Sequence, residues 1–140
     1  MPQTEADRSD WLRRQAAAGY PVLVADIDGV VAGFASYGDF RDAAKWPGYR
    51  FTVEHTVHVR ADHWQTGVGR ALLTELLGRA RTAGKHVMIG GIDAENEPSL
   101  RFHERMGFVE VARLPETGHK FGRWLHLVLV QRIIDPGVTP

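Results

Sequence analysis

The chain has no cysteine, which excludes disulfides, thiolate catalysis and cysteine-ligated zinc at one stroke. It also lacks an excess of charge of either sign. Lysine plus arginine and aspartate plus glutamate both number 17, so no broad single-sign field draws it to nucleic acid or to an anionic membrane. No apolar run approaches the roughly 20 residues of a membrane span. Met1 to Asp10 is polar and acidic where a signal peptide is basic and then apolar, which reads as cytoplasmic. No internal repeat or low-complexity tract interrupts the sequence. What remains is 140 residues, 44% of them hydrophobic, enough for one α/β domain over residues 1–140 with a core of its own. Any anionic ligand must then be held locally.

Hydrophobic periodicity divides the chain into short elements. A helical pattern over Asp7 to Ala18, with Trp11, Leu12, Gln15 and Ala16 on one side, stops at Gly19. Pro21 to Ile27 and Val30 to Ser36 read as strands joined by Asp28-Gly29, a strong signal for a tight hairpin. Gly38 to Tyr49 is aperiodic and reads as a loop, with a helical turn around Ala43 to Trp46. Phe51 to Val59 alternates, with Val53, His55, Val57 and Val59 on one face and Glu54, Thr56 and His58 on the other. Beyond a glycine loop, Leu72, Leu73, Leu76, Leu77 and Ala80 recur at helical spacing until Gly84. Val87 to Ile92 is a strand, and Asn96 caps a helix that runs to Met106, before Gly107. Phe108 to Leu114 and Trp124 to Ile134 are strands joined by a polar stretch from Pro115 to Arg123, and the tail from Asp135 frays.

The segment Gln65-Thr66-Gly67-Val68-Gly69-Arg70 lies between a strand and a helix. Its glycines let the backbone approach a ligand, and the first amides of a helix point at an anion with the macrodipole behind them. A pyrophosphate held by main-chain amides, with Thr66 and Arg70 assisting, suits this place. Two glycines alone are also what a plain strand-to-helix turn contains. A dinucleotide fingerprint would need another glycine, and a phosphate loop would need lysine followed by serine or threonine; neither is here. The seven histidines suggest a metal, but His55 and His58 point to opposite strand faces and no helix carries a carboxylate-histidine motif, so no metal site is predicted.

Two stretches carry a resemblance. Phe51 to Ala80, F-T-V-E-H-T-V-H-V-R-A-D-H-W-Q-T-G-V-G-R-A-L-L-T-E-L-L-G-R-A, resembles the coenzyme A motif of the GNAT acetyltransferases. Asn96 to Phe108, N-E-P-S-L-R-F-H-E-R-M-G-F, resembles the same superfamily's N-x-x-A-x-x-x-Y-x-x-x-G-F element. Within it, T-V-E-H-T-V-H-V and K-F-G-R-W-L-H-L-V-L-V-Q, Lys120 to Gln131, look most like the phosphinothricin and methionine sulfoximine acetyltransferase branch. Three features depart from the pattern. Trp64 stands where arginine or glutamine opens the glycine motif, with Gln65 one place late. His103 replaces a tyrosine and His126 an aspartate. Relatives begin with a strand and a helical segment that precede anything found here.

The resemblance implies the GNAT fold, a twisted, mixed and mostly antiparallel sheet flanked by helices, with the strands of Glu54 and of Val87 to Ile92 splaying to admit the pantetheine arm. It implies acetyl transfer from acetyl-coenzyme A, without metal, to the amine of a small amino acid or analogue, by a homodimer. Glu54 then matches the base and His103 the acid that protonates the departing thiolate. Val57, His58, Val59, Gln65, Thr66, Gly67, Val68, Gly69, Arg70, Asn96 and Ser99 match the cofactor-binding positions, with the amides of Val57 to Val59 polarising the carbonyl. Lys120, Trp124 and His126 match the acceptor side, where Arg41, Lys120 and Arg123 are unranked cations for a substrate carboxylate. The alternatives are a truncated or degenerate domain that binds acetyl-coenzyme A without turnover, and an acetyltransferase of protein or peptide amines.

Overall fold

The computed structural model describes residues 5–134; Met1 to Thr4 and the tail read as frayed from Asp135 lie outside them. Three α-helices and six strands follow in the order α1 (Glu5–Ala18), β1 (Val22–Ile27), β2 (Val30–Asp39), β3 (Thr52–Val59), α2 (Val68–Thr82), β4 (Val87–Asp93), α3 (Glu97–Arg105), β5 (Val109–Lys120) and β6 (Arg123–Ile133). The strands form one sheet in the order β1-β2-β3-β4-β6-β5. Its β3–β4 pair is parallel, while β1–β2, β4–β6 and β5–β6 are antiparallel. This is the mixed, mostly antiparallel sheet with helices that the resemblance implies.

The chain divides into two compact units. The first, residues 1–38 and 55–82, contains α1, the β1–β2 hairpin, most of β3 and α2. Helix α1 ends as a Schellman motif: Gly19 has φ of 74°, its amide donates to the Ala16 carbonyl at 3.1 Å, and the Tyr20 amide donates to Gln15 at 2.9 Å. Its predicted apolar side is thin. Trp11 and Gln15 are half-buried, Leu12 is exposed, and the firm tie is the Gln15 amide donating to the Tyr37 carbonyl at 3.1 Å. Asp28 and Gly29 both have positive φ, 52° and 81°, the signature of a type I′ turn. Helix α2 buries Leu72, Leu73, Leu76, Leu77 and Ala80, the stripe its spacing predicts, and Val68 with them. In β2, a Cβ on Gly33 would stand 2.6 Å from the His58 carbonyl oxygen, so glycine is required for the approach of these two backbones.

The second unit, residues 39–54 and 83–140, contains the start of β3, then β4, α3, β5 and β6. Val53, Met88, Ile92, Phe108, Val128 and Val130 form its core. In the stretch read as a loop with one helical turn, the Trp46 amide donates to Asp42 at 2.7 Å, and a 3₁₀ turn follows at Pro47–Tyr49. The connection expected from Pro115 to Arg123 is shorter than its composition suggests. Strand β5 continues to Lys120 and turns at Phe121-Gly122, both at positive φ of 52° and 72°. Pro115 and the left-handed Glu116, φ 57°, are absorbed by a bulge between Leu114 and Gly118. The Glu116 amide finds its acceptor in His126 Nδ1 at 3.2 Å instead of a strand carbonyl. A proline, a glycine and polar residues therefore read as loop while the backbone remains paired.

Candidate active site

In the first unit the glycine loop joins β3 to α2 through two left-handed residues. Gln65 has φ of 60° and Gly67 φ of 89°, so left-handed residues bracket Thr66, a geometry that gathers successive N–H groups toward an anion. Gln65 takes this conformation without being glycine. The Thr66 hydroxyl donates to the His63 carbonyl, which closes the turn from below. The first backbone bond of α2 runs from the Ala71 amide to Gly67 at 3.0 Å, so the amides of Val68, Gly69 and Arg70 precede it. Arg70 is exposed at this end. Trp64 is 65% exposed, yet its indole N–H donates to the Val59 carbonyl at 2.8 Å and fixes the ring beside the loop. Further back in β3, Val57 and Val59 are half-buried and His58 is exposed, its ring 5.8 Å from Phe34.

The second unit holds both proton-transfer candidates. The β3–β4 ladder covers Thr52, Val53 and Glu54 and ends at the pair Glu54↔Ile89. Glu54 projects from the face opposite Val53. As a residue it is exposed, but its carboxyl has enough protein around it that desolvation raises its pKa above the ordinary carboxylate value. His103 is the reverse case. It is buried on α3, between Phe102 and Phe108 at ring separations of 5.2 and 5.4 Å. Its Nδ1 lies 2.8 Å from the Ser99 carbonyl and 3.4 Å from the Ser99 hydroxyl. A carbonyl only accepts, so Nδ1 carries a proton directed at Ser99. Burial lowers the imidazole pKa and the Ser99 bond opposes that in part. Asn96 caps α3 as its position predicts: its side-chain oxygen accepts from the Ser99 amide at 3.3 Å.

The acceptor-side candidates do not form one cluster. The register Asp93↔Leu127 puts Leu127 on Glu54's face, and strict alternation along β6 then sets Trp124 and His126 on the opposite face with Val128. Trp124 packs edge-on against His119 at 5.0 Å, and His126 serves the β5 bulge. Of the cations, Arg123 is paired with Glu95 at 2.6 Å and Asp93 at 3.8 Å. Lys120 lies over Phe121, 5.1 Å from its ring centre. Arg41 is in no ion pair among the described residues; its guanidinium carbon sits 4.3 Å from the Trp46 ring centre and 4.8 Å from that of Tyr49. Two residues missed from the sequence also matter here. A Cβ on Gly91 would stand 3.8 Å from Glu54 Oε2, and Arg132 donates to the Met106 carbonyl at 2.7 Å, tying the C-terminus of α3 to β6. Gly91 carried a signal, since glycine inside a strand often marks a close approach. Arg132 carried none.

With a strand, a glycine loop, a helix and a second, asparagine-capped helix in this order, the chain belongs to the acetyltransferase (GNAT) family, whose model matches residues 1–108. It is 47% identical to the L-amino acid N-acyltransferase MnaT of Escherichia coli, over 96% of this chain and 76% of that protein. It is 45% identical to an L-methionine sulfoximine/L-methionine sulfone acetyltransferase of Salmonella typhimurium, over 96% of this chain and 77% of that protein. Among solved structures, yncA from Salmonella typhimurium with its cofactor acetyl-CoA superposes with a TM-score of 0.92 at 43% identity, covering 100% of this chain and 79% of that one. No helix among the described residues is long and apolar enough to cross a membrane.

Proposed function

We propose that the protein transfers an acetyl group from acetyl-coenzyme A to the α-amine of a small amino acid or amino-acid analogue. The observation that carries this is Glu54: a carboxylate at the end of a parallel ladder, close beside the exposed strand glycine Gly91, with a pKa raised by desolvation. Such a carboxylate is a stronger base than an exposed one. The relatives' names support the choice of acceptor.

In this reading the amides from Gln65 to Arg70 bind the pyrophosphate, with Thr66 and Arg70 assisting. Val57 to Val59 pair with the pantetheine arm and polarise the thioester carbonyl, and Asn96 and Ser99 complete the cofactor contacts. The amine nitrogen forms a bond to the carbonyl carbon, its proton passes to Glu54 directly or through one water, and the carbon–sulfur bond breaks. The thiolate takes a proton from His103 in its imidazolium form. Most of the rate comes from holding amine and thioester together. Arg41, rather than the neutralised Arg123, receives the acceptor's carboxylate, because two aromatic faces fix its charge without consuming it. The chain acts as a single domain, in a homodimer, in the cytoplasm. The test follows thiol release from acetyl-coenzyme A across free amino acids, methionine sulfoximine, phosphinothricin and short peptides. Release with free amino acids and its near-loss in Glu54→Gln are expected. Release confined to peptides, or unaffected by Glu54→Gln, overturns the acceptor class or the base respectively.

A further inference from the structure

The face of the sheet that presents Glu54 also presents a strip of small and apolar residues, none of which the proton-transfer steps use. Glu54 pairs with Ile89, so Gly91 two residues on shares its face; Gly91 pairs with Leu129 and Asp93 with Leu127. Gly91 is exposed, whereas Leu125, Leu127 and Leu129 are half-buried, which leaves part of each leucine open on this side. A Cβ built on Gly91 would meet Leu127 Cδ1 at 3.2 Å and Glu54 Oε2 at 3.8 Å. The missing side chain thus leaves an exposed stretch of bare backbone with a carboxylate on one flank and a leucine methyl on the other. Gly91 has no positive φ that would demand glycine, so its backbone does not explain the residue.

We propose that Gly91 and Leu127 seat the side chain of the acceptor amino acid and so set its length and charge. An α-amine delivered to Glu54 places its own Cα over Gly91. The acceptor's side chain then runs along Leu127 toward Leu125 and Leu129. The strip suits an extended, uncharged side chain, because setting a charge against leucine methyls forfeits its hydration without a partner. Asp93 shares this face but is already joined to Arg123, so it offers no unpaired charge to recruit a cationic side chain. This inference rests on the amino-acid reading above and adds the residues that discriminate among amino acids.

The experiment is a kcat/KM series with L-2-aminobutyrate, norvaline, norleucine, glutamine and glutamate for wild type, Gly91→Ala, Leu127→Ala and the double variant. Gly91→Ala raises this floor by one methyl and lowers the norleucine-to-aminobutyrate ratio about tenfold, the scale of one methyl group in an apolar seat. The built methyl clashes only with the flexible end of Leu127, so Leu127→Ala in the same chain restores most of that ratio. Leu127→Ala alone shifts preference toward longer side chains, and wild type favours glutamine over glutamate. A length profile that stays constant across all three variants overturns the inference and leaves the amino-acid reading standing. A wild type that releases thiol with no amino acid sinks that reading and this inference with it.

Discussion

Glu54 and His103 sit in the same unit and feel the same force with opposite consequences. Both lose hydration, and burial disfavours whichever form is charged. For Glu54, on an open strand face, that raises the pKa and makes the ionised carboxylate a better base. For His103, enclosed by Phe102 and Phe108, it lowers the pKa and so favours the neutral ring, with Nδ1–H committed to Ser99. Desolvation improves a carboxylate base and makes a histidine acid scarce. The base is therefore the stronger half of the proposed proton relay, and the acid half depends on pH.

Glu54→Gln tests the stronger half. The amide keeps the shape and loses the base, so kcat is expected to fall about 10²- to 10⁴-fold, measured by thiol release. Stability moves the other way. A carboxyl with a raised folded pKa costs stability as pH rises through the window from its ordinary value of 4.5 up to the folded one, because the folded state then binds more protons than the unfolded. Glu54→Gln removes that cost, so the variant melts at the same temperature as wild type or higher at pH 7. A loss of activity accompanied by a fall in melting temperature would identify Glu54 as a structural residue.

His103→Phe tests the weaker half. It is expected to lower kcat about tenfold at the acid end of the activity range, where imidazolium is populated, and by less above pH 8. A variant-to-wild-type ratio that stays constant with pH would reduce His103 to a packing residue. The same group makes the fold acid-sensitive. The unfolded imidazole takes a proton near 6.5 and the folded one only at lower pH, so stability is complete above 6.5 and falls as pH drops through that window. Denaturant midpoints at pH 7.5 and 5.5 should converge in His103→Phe relative to wild type.

The legibility of these two groups in the sequence was unequal, for a physical reason. Alternation along β3 placed Glu54 outward, and helical spacing gave both α2 and the Asn96 cap, because each depends on neighbours a few residues away. The burial of His103 depends on Phe108 and on the chain beyond α3, which no local period records. The resemblance puts Lys120, Trp124 and His126 together on the acceptor side, whereas the face each occupies is fixed by the register of β6 against β4. The bulge around Glu116 hid the continuation of β5 in the same way: Pro115 and Gly118 look like loop residues, yet His126 across the hairpin holds the amide the strand leaves over. Leu12 on α1 was a periodic apolar position that remained exposed.

The smallest effect concerns the seat of His103 itself. Asn96 accepts from the Ser99 amide, and Ser99 in turn holds the imidazole, so the cap orders the turn that fixes the ring. Asn96→Ala is expected to cost about 1 kcal/mol of stability, read from denaturant midpoints at constant slope. Asn96→Asp restores a capping oxygen and favours the helix dipole, so it should recover that stability. It does not restore the amide nitrogen, which is the atom left for coenzyme A. If that nitrogen touches the cofactor, Asn96→Asp keeps a raised KM for acetyl-coenzyme A while melting like wild type. Recovery of both together would confine Asn96 to its helix cap, leaving the open strand face around Glu54 to account for the chemistry.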